Sequence, residues 1–256
     1  MAAFSLARRL RAGETVYSGW SSLPAPIVVE VLAREGFSAV AIDMQHGMWD
    51  FAAAVTGIGT IAGVGAAPIV RTPYHDWPMV SRALDMGAEG VVAPLINTVE
   101  DAKAFVSVAK FPPVGERSWG PSRAIMLGRF PDMKTYLRDA NEATVTIAMI
   151  ETREAIANVD AIAAVKGIDV LFVGPSDLSI TMSDGAVLDP HSKEVEAALE
   201  KVVAAAKKAG KVAGLYCATG ERAAAMAKRG FGYLAVGNDL GFLREGVGGH
   251  MKSLKG

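Results

Sequence analysis

The chain has one cysteine, Cys217, among its 256 residues. It therefore forms no internal disulfide and no cysteine-rich zinc site. Histidines number four: His46, His75, His191 and His250. That scarcity argues against a polyhistidine centre, so a metal would be held mainly by carboxylates. Net charge is almost nil. Lysine plus arginine total 26 and aspartate plus glutamate 27, a formal charge of -1. No basic excess recruits nucleic acid or anionic lipid. The first residues carry Arg8, Arg9 and Arg11 but lack the apolar centre of a secretory signal. Their plain reading is a short helix capping one end of the domain.

Long uninterrupted apolar runs are also missing. The charge-free stretch 51–70 is broken by Gly57, Gly59, Gly63, Gly65 and Pro68. It reads as a helix, a glycine-rich turn and a buried strand rather than a membrane span. There is no Walker loop, and no G-x-G-x-x-G between a strand and a helix, so a tightly held nucleotide is not implied. A cytoplasmic, reduced, soluble protein is the expectation.

What is present is a regular alternation. Hydrophobic residues make up 51% and charged residues 21%, which suits a globular chain with a sizeable core. Short apolar runs at 16–20, 39–43, 67–71, 90–94, 144–150, 169–173, 212–217 and 233–236 read as strands buried on both faces. Helical patterns lie between them, at 24–35, 77–86, 99–109, 153–165, 192–209 and 221–229. Several stop at a glycine: Gly36, Gly87, Gly210 and Gly230. Eight strand–helix units in about 250 residues predict a single-domain (β/α)8 barrel over 1–256. A doubly wound sheet, which needs fewer strands, is the alternative. The longest irregular piece is 111–130, rich in Gly, Pro and Arg, and long loops of this kind are often functional.

In such a barrel the active site lies at the carboxyl ends of the strands. There the sequence places Trp20, Asp43 with His46, Arg71, Asn97, Glu151, and the run Gly174-Pro175-Ser176-Asp177. Adjacent strands bring Glu151 and Asp177 together, and two carboxylates with water and substrate oxygens suit Mg²⁺ or Mn²⁺. Singly, each serves equally well as a helix cap or turn residue. Arg71 can bind a carboxylate or oxyanion, or make a salt bridge at the rim. His46 can move protons or simply be satisfied by its loop. Asp85, inside a helical pattern, reads as a solvated helix residue, and Cys217 as an inert buried thiol. None of the lysines falls at the carboxyl end of a strand, which argues against a Schiff-base aldolase.

Taken together, Asp43-Met44-Gln45-His46, Arg71-Thr72-Pro73, Leu84-Asp85-Met86-Gly87-Ala88, Pro94-Leu95-Ile96-Asn97-Thr98, Ile150-Glu151-Thr152-Arg153-Glu154-Ala155 and Phe172 to Ser179 resemble the HpcH/HpaI family of metal-dependent (class II) pyruvate aldolases. The likeness runs from about Leu6 to Leu243 and is nearest to the hydroxy ketoacid aldolases. It implies a barrel whose last helix is often exchanged between subunits, in a hexamer built of dimers. It implies Glu151 and Asp177 as ligands of a divalent cation (Mg²⁺, Mn²⁺ or Co²⁺). His46 would be the base, Asp85 the carboxylate that raises its basicity, and Arg71 the residue that holds the keto acid. Gly174, Ser176, Asp177 and Trp20 would line the substrate, and Arg117 and Arg123 are candidate contacts for the aldehyde. The chain departs from many members at Met149, where they carry glutamine. The implied reaction joins pyruvate or hydroxypyruvate to an aldehyde, and in reverse cleaves 4-hydroxy-2-keto acids. The alternatives are a CoA-thioester lyase or oxaloacetate decarboxylase of the same superfamily, or a metal-free phosphate-binding isomerase barrel.

Overall fold

A computed structural model describes residues 4–255, and in it every strand end named above falls on one rim. The strands are β1 (Val16–Ser21), β2 (Ala39–Asp43), β3 (Ala67–Arg71), β4 (Gly90–Ala93), β5 (Val145–Ile150), β6 (Val170–Val173), β7 (Val212–Cys217) and β8 (Phe231–Val236). All pair in parallel with their sequence neighbours, and β8 closes on β1. The helices are α1 (Leu6–Arg11), α2 (Pro26–Arg34), α3 (Phe51–Val64), α4 (Trp77–Asp85), α5 (Val99–Ala109), α6 (Ser122–Leu127), α7 (Met133–Ala143), α8 (Arg153–Ala157), α9 (Val159–Ala163), α10 (Pro175–Met182), α11 (Lys193–Lys208), α12 (Gly220–Lys228) and α13 (Asp239–Lys255). Among these residues no helix is long and apolar enough to cross a membrane.

The two-residue period of a strand sorts its side chains into two cores. Ala39 and Ala41, Ala67 and Ile69, Val145, Ile147 and Met149, and Val170 and Phe172 point into the barrel. Val40, Ile42, Val70, Ala148, Ile150, Leu171 and Val173 point outward under the helices. The inward rows, continued two residues further, arrive at Asp43, Arg71, Glu151 and Gly174. Strand parity thus aims the Asp43, Arg71 and Glu151 side chains toward the barrel mouth.

The amino end is plugged by α1, whose Leu6, Ala7 and Leu10 join the inward core. This is the cap expected from the sequence. Glu89, just before β4, holds it there: its Oε2 accepts from the Ser5 and Leu6 backbone N–H groups at 2.7 and 2.8 Å. Lys110 is 1% exposed at the same end. Its ammonium donates to the Asn141 and Thr144 carbonyls at 2.8 and 2.7 Å and to Asp169 at 3.0 Å. All three of its donors are used, which is how a buried lysine is tolerated.

Three expectations change. The stretch 153–165 is two short helices, because the chain turns at Asn158 (φ -96, ψ 4), whose Nδ2 donates to the Asn97 carbonyl at 2.9 Å. The stretch 111–130 contains α6. Gly57, Gly59 and Gly63 lie inside α3 rather than in a turn. At Gly57 the reason is space, since a Cβ there would come within 2.8 Å of Ile42 and 3.0 Å of Trp49. The turn itself needs only Gly65, at φ 95.

Candidate active site

The carboxyl end of the barrel opens into a cavity of about 250 Å³. Its floor is aromatic. Trp20 stacks on Phe172 with ring centres 5.9 Å apart and meets Tyr216 edge-on at 5.9 Å. Its polar wall is built around Asp43 and Arg71, which face each other from paired positions on β2 and β3. Arg71 Nη2 donates to Asp43 Oδ2 at 2.7 Å and Nε to Oδ1 at 2.9 Å. This is a bidentate, largely dry ion pair, and it fixes the plane of the guanidinium. The Trp20 indole N–H adds a bond to Oδ2 at 3.2 Å, and the Gln45 and His46 backbone N–H groups donate to Oδ1 at 3.0 and 3.2 Å. Burial works to raise the Asp43 carboxyl, yet Arg71 and these donors together hold it below the usual carboxylate range. The same bonds shape the 43–46 turn and present the exposed His46 ring at the cavity.

Arg71 Nη1 makes none of these bonds. It faces the sulfur of Met149 at 3.9 Å, and the Arg71 head lies 5.0 Å from the Trp20 ring centre. Where an amide would offer strong hydrogen bonds, Met149 gives only a weak thioether acceptor.

Glu151 ends β5 and is 2% exposed. One oxygen, Oε1, accepts from the Leu95 backbone N–H at 2.9 Å. Leu95 holds a left-handed conformation (φ 53), rare for a residue with a side chain and often found at functional sites. The other oxygen, Oε2, faces Gly174, where a Cβ would collide with it. Among the described residues no cation forms a salt bridge with Glu151, and Arg71 is bonded to Asp43 instead. Burial first, then the nearby charge of Asp177, push its carboxyl up to about 7 against the pull of Leu95 and Arg71. A buried carboxylate beside a second carboxylate, with one backbone donor and no salt bridge, has the chemistry to hold a cation. Asp177 lies in the first turn of α10 and is exposed at the cavity, with Ser176 beside it. Among the described residues no cluster of three or more His, Cys, Asp or Glu offers a complete ligand cage. Two carboxylates with the remaining positions open to water and substrate fit Mg²⁺ or Mn²⁺, which need no all-protein cage.

The fold therefore gathers Trp20, His46, Arg71, Gly174, Ser176 and Asp177 at one cavity, with Glu151 set just behind Gly174. It does not gather the others. Asp85 is the last residue of α4, which runs back from the rim, so it lies at the amino end of the barrel. There its Oδ1 accepts from Arg117 Nη2 at 2.7 Å. Within the chain it has no contact with His46. Arg117, with its side chain fully buried, rests 4.6 Å from the Phe111 ring centre. Arg123 donates to the Met86 carbonyl at 2.6 Å. Both sit in the connection from α5 to β5, and every helix-to-strand connection of this barrel lies at the end opposite the cavity. The chain's own fold thus takes neither arginine to an aldehyde site. Sequence reasoning placed Asp43 at the end of its strand but gave it no role. Its signal was its parity with Ala39 and Ala41, which put it on the inward row directly opposite Arg71.

The family model described as "HpcH/HpaI aldolase/citrate lyase" matches residues 17–245. A hydroxypyruvate/pyruvate aldolase of Rhizorhabdus wittichii is 38% identical over 234 residues, 90% of each chain. A 4-hydroxy-2-oxovalerate aldolase of Novosphingobium aromaticivorans is 37% identical over 204 residues, 78% of this chain and 77% of the relative. Among solved structures, an HpcH/HpaI aldolase from Desulfitobacterium hafniense superposes with a TM-score of 0.92 at 29% identity, covering 99% of this chain and 97% of that one. The chain belongs to the HpcH/HpaI aldolase/citrate lyase family, and so to the enzymes that make and break carbon–carbon bonds.

Proposed function

We propose that the protein catalyses metal-dependent aldol addition and cleavage, joining pyruvate or hydroxypyruvate to an aldehyde and, in reverse, splitting 4-hydroxy-2-keto acids. The observation that carries the reading is Glu151, a buried carboxylate that pairs with no cation among the described residues, near Asp177 and just behind Gly174 at the wall of the cavity that Arg71 and Asp177 line. Glu151 and Asp177 would hold a divalent cation, Mg²⁺, Mn²⁺ or Co²⁺. When bound, such an ion acts as a Lewis acid that lowers the cost of negative charge on the keto oxygen.

The chain's own residues do the rest. Arg71, held flat by Asp43, presents Nη1 to the keto acid and stabilises the oxygen as charge develops there. The Ser176–Asp177 turn, at the start of α10, offers its backbone N–H groups to the carboxylate, as helix amino termini do for anions. His46, exposed at the mouth, takes the proton from C3 of the donor, directly or through one water. The resulting carbanion attacks the aldehyde carbon, and the new alkoxide takes the proton back. In cleavage each proton moves the other way. Trp20, Phe172 and Tyr216 exclude water from one side of the pocket.

The proposal includes a homo-oligomer, a hexamer in which the last helix is exchanged between subunits. Along α13 the side chains of Leu240, Leu243, Val247, Met251 and Leu254 are 40, 58, 55, 46 and 78% exposed. They recur at steps of three and four, so they form one apolar stripe suited to a protein partner rather than to water. A cytoplasmic location completes the proposal.

The test is chelator-treated enzyme supplied with a 4-hydroxy-2-keto acid, with pyruvate release followed before and after Mg²⁺, Mn²⁺ or Co²⁺ is added. Activity that returns only with metal, and not in Glu151→Ala, is expected. Full activity in the presence of chelator would overturn the assignment.

A further inference from the structure

Asn97 stands after β4, among the polar residues that the sequence places at the rim, yet it is absent from the cavity lining. Half-buried, it bonds sideways to the connection that follows β5. Its side-chain Oδ1 accepts from the Thr152 hydroxyl at 2.6 Å, and its carbonyl accepts from Asn158 Nδ2 at 2.9 Å. Thr152 and Asn158 are the two caps of α8. The short helix after Glu151 is therefore tied at both ends to one residue of the neighbouring loop. On the loop's own side, Asp101 Oδ2 accepts from the Asn97 and Thr98 N–H groups at 3.1 and 2.9 Å. Two residues before Asn97, Leu95 holds its left-handed conformation and gives its N–H to Glu151 Oε1. A leucine keeps such a backbone only where its surroundings over-determine it. Between them Ile96 donates to the Met149 carbonyl at 3.1 Å. The stretch 95–97 is thus fastened to Glu151, Met149 and Thr152. Because Thr152 is next to Glu151 in the chain, the Asn97–Thr152 bond fixes the Leu95 donor against the carboxylate that it orients.

We propose that Asn97 is a positioning residue for the cation site. Through Thr152 it keeps the Leu95 N–H on Glu151 Oε1, and so leaves Oε2 as the oxygen offered to the cation. The inference rests on the metal-dependent reading above and assigns it a residue that acts from outside the cavity. Partners of this kind orient a ligand before the ion arrives, so that less order has to be imposed on binding. Without the bridge Leu95 relaxes, Oε1 loses its donor and the buried carboxylate turns.

The experiment titrates Mn²⁺ calorimetrically into the metal-free wild type, Asn97→Ala, Thr152→Val, Thr152→Ser and Thr98→Ala, with a thermal melt of each. Asn97→Ala and Thr152→Val each remove one side of the bridge, and each is expected to weaken Mn²⁺ binding about tenfold or more. Their combination is expected to bind no more weakly than either alone, since both delete the same bond. Thr152→Ser keeps the hydroxyl and is expected to stay within about twofold of the wild type. Thr98→Ala deletes the cap hydroxyl that accepts from the Asp101 N–H at 3.1 Å. It is expected to lower Tm yet leave Mn²⁺ affinity within about twofold, which separates the bridge from a general loosening of α5. Wild-type affinity in Asn97→Ala and Thr152→Val refutes the proposal. So does a loss in Thr98→Ala as large as theirs, or a double variant in which the two losses add. Should Asn97→Ala fail to fold, the Thr152→Val and Thr152→Ser pair decides. A wild type without saturable Mn²⁺ binding refutes the metal-dependent reading, and this inference with it.

Discussion

Glu151 gives the sharpest test because its carboxyl carries a calculable penalty. In the folded, metal-free chain it is pushed up to about 7, against 4.5 for an ordinary glutamate. Between pH 4.5 and 7 the folded state therefore binds more protons than the unfolded one, and stability must fall as pH rises through that window. The full penalty applies above pH 7 and vanishes below 4.5. At 1.36 kcal/mol per unit it amounts to about 3 kcal/mol. For a chain of this size that is about 6–12 °C in Tm. Glu151→Gln removes the titrating proton and keeps the shape. Metal-free Glu151→Gln is thus expected to melt above the metal-free wild type at pH 8, and the gap is expected to close toward pH 5. Adding Mg²⁺ at pH 8 should raise the wild type and leave the variant where it was. The assay is a set of paired thermal melts in chelator and in Mg²⁺ from pH 5 to 8. Parallel curves for the two proteins across that range would refute the claim that Glu151 is a buried, destabilising carboxylate that binds Mg²⁺.

Other consequences follow from the same contacts. Asp43→Asn keeps the volume but removes the charge from a buried ion pair. It should cost about 3 kcal/mol in urea unfolding and about 100-fold in pyruvate-release kcat through the loosened Arg71. Unchanged kcat would show that Arg71 needs no such clamp. Gly174→Ala puts a methyl group where Glu151 Oε2 lies, and calorimetric titration should show Mn²⁺ affinity down at least about tenfold. Lys110→Met removes the cation from Asp169, which keeps only its Thr146 donors, and strands two carbonyls at the far end of the barrel. It should lower stability by about 3 kcal/mol and leave kcat per folded molecule unaltered. A coincident loss of kcat would mean that the two barrel ends are coupled.

The reach of the sequence is best seen in particular residues. The inward rows Ala39-Ala41-Asp43 and Ile147-Met149-Glu151 were legible because strand parity is strict. A residue two positions past a buried one, at a strand's carboxyl end, has to face the barrel mouth. Within the chain the loop arginines lie away from the cavity, for a reason that the sequence also contained. Arg117 and Arg123 follow a helix and precede a strand, and such connections lie at the amino end of the barrel. Their polarity suggested a ligand, but their position in the βα order decided where they could be. The pairing of Asp85 with Arg117 could not be read at all. It depends on how a 20-residue connection folds back on the end of α4, and nothing periodic governs that.

The sequence by itself determined the eight-fold strand–helix order, the barrel, and the rim on which carboxylates, an arginine and a histidine, rather than cysteine or lysine, follow the strands. Those follow from local periodicity and from residue chemistry, which act within a few residues along the chain. Only the tertiary structure decided that Asp43 clamps Arg71, that Glu151 is buried without a counter-charge, and that Lys110 is enclosed and fully bonded. It also decided that Asp85 is turned away from His46 within the chain. Each of these depends on desolvation and on partners up to 59 residues away. Such energies are set by the enclosure that the closed barrel creates, not by the residue's own neighbours in sequence.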